Sequence, residues 1–355
     1  MAGEIPPRGR YPLLALAAVA MLAGVAGGLG RLGLSLPLAG PVAWHGPLLA
    51  SAFFGTVIAL ERAVAYKARW AYLAPLFSAL AGPLLVHGFV MPAAWCLVVA
   101  SGLLAAVSSQ VARRHEAPFT AVIAIGAFSW LAGSLAWVVT GGVEASVPLW
   151  MNFLVLTIAG ERLELSRLRP PSRWGLWIFA AVVFAALLGA AIDTRLLGIA
   201  YIALAWWLLR FDIARFTIRQ PGLPRYVASC LLPGFAWLAV GGVLWARGPH
   251  LAGTAAHDAA LHAVLVGFVL SMVFGHAPII LPAVTGWAVP FTRAFYAPLV
   301  VLHASVALRV VGDLGGNPTL RLVGSAGHAA ALVLFGVAAI GRRGRPQIHE
   351  KKLLD

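Results

Sequence analysis

The sequence predicts an all-α polytopic membrane protein, and three observations lead to this fold class. Hydrophobic residues make up 61% of the 355 residues, whereas only 11% are charged, and the mean hydropathy is +0.89. Because soluble domains carry about 25% charged residues, this chain has too few polar side chains to cover a surface that faces water. The third observation is that the apolar residues occur in long runs.

Each of these apolar runs has about the length of a membrane-spanning helix. A hydrocarbon core about 30 Å thick is crossed by about 20 apolar residues in a helix. Proline, glycine and charged clusters divide the chain into twelve runs, at approximately 11–30, 43–63, 70–90, 92–112, 118–139, 147–162, 174–192, 195–210, 226–246, 258–284, 293–311 and 321–341. The sixth and the eighth are the shortest. No domain boundary is visible, so residues 1–355 are predicted to form a single transmembrane helical bundle.

The first run follows the basic segment PPRGRY, as the apolar part of a signal peptide would. The run is long, however, and it lacks a clear small-x-small cleavage site followed by a soluble domain. We therefore expect it to be retained as the first helix.

The basic residues predict the orientation of the chain in the membrane. With twelve spans and the N-terminus inside, 21 Lys and Arg residues fall in cytoplasmic segments and five on the other side. Short loops rich in Lys and Arg stay in the cytoplasm, so both termini are predicted to lie inside. This topology accounts for the net charge of +14, and no nucleic-acid partner is expected.

The same topology gives each histidine a depth. Four imidazoles from four different runs are predicted to lie between mid-membrane and the outer face: His45, His262, His303 and His328. His276 follows His262 by fourteen residues, which is about 21 Å along a helix and within about 40° of the same face. One metal ion therefore cannot bind both, and His276 is predicted to belong to a separate inner site.

Ionisable groups inside a membrane are functional candidates, because they cost energy unless they face a partner or a cavity. A single membrane histidine can simply hydrogen-bond a neighbouring helix, but several converging imidazoles are what a haem or copper site needs. We therefore predict a haem or metal site in the outer half. Its candidate metal ligands are His45, His262 and His328, with His276 as the separate inner candidate.

The remaining motifs do not indicate a catalytic or cofactor-binding site. The chain has no CxxCH, P-loop or HExxH pattern, and Cys96 and Cys230 are interpreted as inert buried thiols. Gly24 and Gly28 form a GxxxG motif that is interpreted as a close helix contact.

Several charged residues lie at the ends of the runs. Asp193, Asp212 and Asp258 are expected to be solvated. The dipeptides at 61–62 and 161–162, both Glu-Arg, are either a repeat signature or two snorkelling helix ends.

The second half of the chain resembles a known family. Four segments follow one another in a recognisable order: RQPGLPRYVASCLLPGFAWLAVGGVLW, AALHAVLVGFVLSMVFGH, LVVLHASVALRVVGDLGG and GSAGHAAALVLFGVAAI. This order resembles the NnrS family of twelve-helix bacterial membrane proteins, which are described as containing haem and copper and as associated with nitric-oxide metabolism and nitrosative stress. His262, followed by Gly267, matches the histidine of that family's tenth span, and ASVALRVV, which contains Arg309, matches another of its motifs. His45 fits a second-span histidine, whereas HAPIILPAV after Gly275 departs from the pattern.

The resemblance implies a cofactor and a role. It implies a haem, of b type, and possibly copper. Together with the predicted depths it favours His45 and His262 as the first ligands and His328 and His303 next, although His328 stands where an aromatic residue is more usual in that family. Arg309 is either a partner for a haem propionate or a snorkelling helix end. The implied role is nitric-oxide handling or related redox chemistry in the bacterial cytoplasmic membrane, with metal-dependent oxidoreductase activity left open.

A wider similarity and two alternatives complete the sequence-based expectations. The chain is distantly similar to subunit I of haem-copper oxidases, but it lacks the paired histidines that the oxidase copper site uses in one span. It is alternatively a b-type cytochrome that passes electrons between quinone and a periplasmic electron carrier. It is alternatively a proton-linked transporter that uses His276 and a helix break at Pro278 and Pro282. The oligomeric state stays open.

Overall fold

The computed structural model describes residues 4–34, 42–248 and 253–340. It is 85% helical, and the described residues form no strands. Twelve long helices run through this part of the chain: α1 Pro7–Gly30, α2 Val42–Tyr66, α3 Arg69–Val86, α4 Val90–Arg114, α5 Pro118–Thr140, α6 Val147–Leu165, α7 Arg173–Ala191, α8 Thr194–Phe211, α9 Leu223–Ala246, α10 Ala255–Thr285, α11 Arg293–Leu314 and α12 Pro318–Ile340. The all-α prediction is confirmed. His250, His349 and the basic residues of the tail lie outside the described residues.

Eleven of these helices are long and apolar enough to cross a membrane, and α6 is the exception. The last turns of α6 contain Glu161, Arg162 and Glu164, which make it more polar than the other helices. Its apolar side chains, such as Phe153 and Leu154, are nonetheless fully buried by its neighbours. A helix that is buried all round belongs to the interior of a bundle. The chain is therefore a multi-pass membrane protein with eleven candidate spans among the described residues, one fewer than the sequence predicts.

Large apolar side chains project from the outside of the bundle. Trp174 is 78% exposed, Trp177 70% and Phe184 62%. A soluble surface rarely leaves contiguous groups of this kind in water, whereas a lipid bilayer accommodates them. The exposed apolar surface thus supports the bilayer as the environment of the helices.

Two helices change their hydrogen-bonding pattern within three residues after a histidine. In α2, His45 is followed by a π-helical segment at Leu48–Phe53, and in α10, His262 is followed by one at Ala263–Leu270. π-helical insertions within α-helices occur frequently at functional sites. The local backbone therefore distinguishes these two histidines from the others.

The helix break expected at Pro278 and Pro282 is absent, and this prediction is wrong. The helical segment Ser271–Thr285 contains both prolines and ends at Gly286, whose φ of 74° is left-handed. Neighbouring helices in a bundle can compensate for the backbone bonds that proline removes, so α10 continues through both positions.

The bundle has two polar ends, which are named here by their residues. The end at which α2 and α10 finish is called the basic face, since Lys67, Arg69, Arg114, Arg167 and Arg169 lie at helix ends there. Arg10 fixes the start of α1 at this face, because its guanidinium donates to the carbonyl oxygens of Ala283 and Val284 at 3.0 and 3.1 Å. The end at which α2 and α10 begin is called the histidine face.

Candidate functional site

Three imidazoles from three helices meet in the interior near the histidine face. The ring of His262 on α10 lies between the other two. Its centroid is 6.5 Å from that of His45 on α2 and 5.7 Å from that of His328 on α12. The rings are close to parallel, with interplanar angles of 17° and 19°. The structure therefore brings together three of the four outer histidines that the sequence singles out.

The hydrogen bonds of these rings determine which nitrogen is free. Nδ1 of His45 donates to the carbonyl oxygen of Gly24 at 2.6 Å, and Nδ1 of His262 donates to that of Asp258 at 2.7 Å. A carbonyl oxygen only accepts, so Nδ1 carries the hydrogen in both rings and Nε2 keeps its lone pair. Nε2 of His328 is buried and has no hydrogen-bond partner among the described residues. The group thus presents three Nε2 atoms that are open to a ligand.

The GxxxG motif of α1 receives the ring of His45. A Cβ atom placed on Gly28 would lie 2.6 Å from Cε1 of His45, and one placed on Gly24 would lie 2.7 Å from Leu49. Such distances exclude any side chain at these positions without movement of the neighbours. The motif does produce a close helix contact, as expected, and in addition it provides the space and the Gly24 carbonyl that orient His45.

A buried network of opposite charges adjoins the three rings. The guanidinium of Arg309 is 4% exposed and donates from Nε to Asp313 at 2.7 Å, from Nη1 to Ser325 at 2.5 Å and from Nη2 to Asp258 at 3.2 Å. Arg321 pairs with Asp313 at 2.7 Å. Asp258 therefore touches both parts of the site, since its carbonyl binds His262 and its carboxylate binds Arg309.

Two sequence-based interpretations change at this network. Asp258 is not solvated, because its side chain is only 13% exposed and pairs with Arg309. Arg309 is not a snorkelling helix end either, since its donors are used inside the bundle. The spacing of Arg309 and Asp313, four residues apart on α11, is the signal that sequence reading missed.

His303 lies apart from the three rings, deeper in the bundle. Trp237 Nε1 donates to its Nδ1 at 3.1 Å, and its Nε2 lies 3.3 Å from the hydroxyl of Ser271. That hydroxyl itself donates to the carbonyl oxygen of Cys230 at 2.8 Å. Because an indole N–H only donates, Nδ1 accepts and Nε2 donates. Both nitrogens of His303 are thus engaged, and the ring joins helices instead of offering a lone pair.

His276 lies in the half of the bundle next to the basic face. Its Nδ1 donates to the carbonyl oxygen of Met272 at 2.7 Å. The charged groups that act on the ring are Arg162, Glu61 and Asp212. His276 therefore has different neighbours from His262, in keeping with their separation along α10.

These neighbours form a second polar cluster, which we call the inner cluster: Glu61, Arg62, Glu161, Arg162, Asp212 and His276. Arg62 hydrogen-bonds Glu161, and Nε of Arg162 lies 3.6 Å from the Asp212 carboxylate. The side chains of Arg162 and Asp212 are 2% and 1% exposed. The two Glu-Arg dipeptides thus interlock at the ends of α2 and α6.

Asp212 is a further correction, since the sequence suggests a solvated helix end. Oδ1 of Asp212 accepts from the backbone N–H of Ala214 at 2.7 Å, and the carboxylate is buried beside Arg162. Burial raises the pKa of the Asp212 carboxyl, and Arg162 opposes this shift.

The donor set of the three rings fits haem iron or copper in its chemistry, because neutral imidazole nitrogen is a common ligand of both. A metal bound to Nε2 at about 2.0 Å lies roughly 3 Å from the ring centre, so two ligating imidazoles have centroids about 6 Å apart. Both stacked pairs have this spacing. Among the described residues, however, no group of three or more His, Cys, Asp or Glu side chains is arranged to hold one metal ion. The arrangement therefore fits a ligand held by a pair of imidazoles better than a closed three-ligand centre.

Comparison with known proteins identifies a family. A family model described as a domain of unknown function, DUF8744, matches residues 10–343. No curated protein and no solved structure matches the chain.

Proposed function

The chain belongs to the DUF8744 family, and we propose that it is an integral membrane metalloprotein of the bacterial cytoplasmic membrane. In this proposal His45, His262 and His328 supply the ligands for a b-type haem, for a copper ion or for both. The protein then acts in nitric-oxide handling, in nitrosative stress or in related redox chemistry. When bound, haem or copper supplies one-electron chemistry that amino-acid side chains lack.

The buried stack of three imidazoles is the observation that carries this proposal. Two of its rings have Nδ1 fixed by carbonyl oxygens, as metal-binding histidines do when a neighbouring group orients them. A histidine that merely joins helices uses both ring nitrogens, as His303 does, whereas Nε2 of His328 is buried without a hydrogen-bond partner among the described residues. The lone pairs left on Nε2 are what supports a metal at this position.

The other residues of the site have supporting roles in this proposal. Gly28 gives the ring of His45 its space, and Asp258 orients His262 through its carbonyl oxygen. Arg309 and Arg321 pair with Asp258 and Asp313, so that these four charges balance one another. Such a buried, charge-balanced surrounding limits the access of water and influences the potential of a bound metal.

The position of the stack favours one electron partner among those considered. The charge asymmetry predicts that the histidine face is periplasmic, so a periplasmic electron carrier can approach the imidazoles from their own side. A b-type cytochrome that passes electrons between quinone and such a carrier uses the same stack. The transporter alternative would use His276, which lies in the other half of α10, and a helix break at Pro278 and Pro282, where α10 continues.

A visible spectrum and a metal analysis of the full-length protein, purified from membranes in detergent, test the proposal. We expect a Soret band with stoichiometric iron for haem, or a Cu(II) electron paramagnetic resonance signal with stoichiometric copper. His262→Ala should abolish the signal, because His262 belongs to both stacked pairs. His45→Ala and His328→Ala should each weaken or shift it.

Two matched histidines serve as controls. His303→Ala and His276→Ala remove buried imidazoles that lie outside the stack and should leave metal content unchanged. A colourless, metal-free wild-type protein would overturn the proposal, as would a signal that survives in His262→Ala. Addition of nitric oxide should change the spectrum of the reduced protein. A spectrum that responds to quinol but not to nitric oxide would assign the b-type cytochrome function.

A further inference from the structure

The inner cluster has an unequal number of acidic and basic groups. Glu61, Glu161 and Asp212 are its three carboxyl groups, and Arg62 and Arg162 are its two guanidinium groups. Guanidinium groups stay protonated in proteins, so one carboxylate lacks a permanent counter-ion. A lone charge in the membrane interior costs several kcal/mol, and binding one proton neutralises the cluster.

The contacts show which of the three carboxyl groups has no arginine partner. Glu161 is paired with Arg62, and Asp212 is paired with Arg162 and with the N–H of Ala214. Glu61 has no hydrogen bond or ion pair with any residue that the structure describes, and it is only partly exposed. The charged or titratable groups that act on Glu61 are Glu161, Arg62 and His276.

The imidazole of His276 keeps one ring nitrogen open within the inner cluster. Nδ1 of His276 donates to the carbonyl oxygen of Met272, which leaves the lone pair of Nε2 free. Glu61, Arg162 and Asp212 are the charged groups that act on this ring. One mobile proton can therefore reside on either His276 or Glu61 while the two arginine pairs stay fixed.

A cavity at the basic face borders the inner cluster at Arg62. Its volume is about 610 Å³, and Tyr66, Ser108, Arg114, Glu164 and Arg167 are also among its lining residues. Nε of Arg62 and the hydroxyl of Ser108 are buried without hydrogen-bond partners in the described part of the chain. Polar groups of this kind in a roomy cavity are satisfied by water. Because Arg62 also binds Glu161, it connects the cavity with the inner cluster.

We propose that Glu61 and His276 form a proton-exchange site that takes up and releases one proton through the cavity at the basic face. Arg62, Glu161, Arg162 and Asp212 supply the fixed charges around it. The site uses none of the three stacked imidazoles, so it does not rest on the metalloprotein proposal. It gives the helices α2 and α10 an exchangeable proton in the half that the charge asymmetry predicts to be cytoplasmic.

Infrared difference spectroscopy of the full-length protein in detergent, recorded over a pH series, tests this site. The C=O stretch of a protonated buried carboxylic acid is separate from the carboxylate bands and shifts in D₂O. We expect Glu61→Gln to abolish one such titrating band. His276→Gln should keep the band but move the pH midpoint at which it appears.

The matched control is Glu144→Gln, since Glu144 is an exposed carboxyl group in the segment between α5 and α6, outside the inner cluster and the cavity. It should leave the band and its midpoint unchanged. A band that persists in Glu61→Gln overturns the assignment to Glu61. A midpoint that does not move in His276→Gln overturns the sharing of the proton. Glu61→Asp keeps a carboxyl group at the site and should restore a titrating band if the Gln variant does not fold.

Discussion

The two ends of α2 and α10 carry different kinds of polar site. At the histidine face these helices contribute His45 and His262, which stack with their Nδ1 atoms bound to backbone carbonyls. In the other half they contribute Glu61 and His276, which lie among ion pairs. The first site consists of neutral rings whose lone pairs are open to a ligand. The second consists of charged side chains that are stabilised by pairing with opposite charges.

This difference predicts that the two sites respond differently to the loss of a side chain. An imidazole of the stack can be removed without leaving a charge behind, so its loss should reduce ligand binding more than folding. Removal of one arginine from the inner cluster leaves a carboxylate without its counter-ion in the bundle interior. Stability should therefore depend mainly on the inner cluster, and ligand affinity mainly on the stack.

Arg162→Ala tests the structural side of this comparison and should have the largest effect. It leaves Asp212, 1% exposed, without its partner, and breaking a buried pair in this way costs about 3–5 kcal/mol. Chemical denaturation in mixed micelles measures the free energy of unfolding. Arg167→Ala is the matched control, because its pair with Glu164 is exposed and such pairs contribute about 1 kcal/mol or less.

The double variant Arg162→Leu with Asp212→Leu sharpens the same test. Apolar residues that replace both partners of a buried pair are often tolerated, so the double variant should recover most of the loss. A loss in His262→Ala as large as that in Arg162→Ala would contradict the division between the two sites.

Gly28→Ala tests the ligand side and should have an intermediate effect. The added Cβ would lie 2.6 Å from Cε1 and 2.7 Å from Nδ1 of His45, so the ring must move away from the Gly24 carbonyl. Loss of a group that orients a metal ligand reduces metal affinity about 10–100-fold. Competition with a chelator, or the retention of the Soret band for haem, measures this change.

Gly336→Ala is the control for that variant, since a Cβ at Gly336 would meet nothing within 4 Å. It should leave affinity unchanged. Normal affinity in Gly28→Ala would show that the position of His45 does not control the stack.

Much of the fold could be predicted from the sequence because the bilayer imposes one rule on every span. Each long apolar run became a helix, and the run at 147–162 was recognised even though α6 carries Glu161, Arg162 and Glu164. The sequence-based prediction was wrong where packing against neighbouring helices overrides a local sequence preference. The prolines at 278 and 282 usually interrupt a helix, but α10 is supported by packing on several sides and continues through them.

The candidate site could be predicted only in part, since depth follows from topology but direction does not. The sequence places His45, His262 and His328 toward the same end of the bundle, and their rings do meet there, whereas His303 contacts Trp237 and Ser271 instead. The burial of Asp212 and Asp258 was missed because helix ends are usually solvated. Their partners, Arg162 and Arg309, are 50 and 51 residues away in the sequence, and no local pattern connects residues at that separation.

The smallest expected effect, the pH dependence that Asp212 gives to stability, sharpens the description of the inner cluster. Burial raises the pKa of Asp212 in the folded protein above its unfolded value of about 3.9. Between these two values the unfolded chain has released the proton and the folded chain retains it, so stability falls as pH rises through this window. Relative to Asp212→Asn, the free energy of unfolding of the wild type should therefore decrease from about pH 4 upward and level off above the folded pKa.

Since Arg162 opposes the effect of burial, Arg162→Ala should extend the decrease to higher pH, whereas Asp193→Asn, at an exposed helix end, should not change it. An increase of stability with pH over the same range would contradict this prediction. It would mean that the attraction of Arg162 lowers the pKa of Asp212 more than burial raises it, so that Asp212 is ionised and paired with Arg162 in the folded protein.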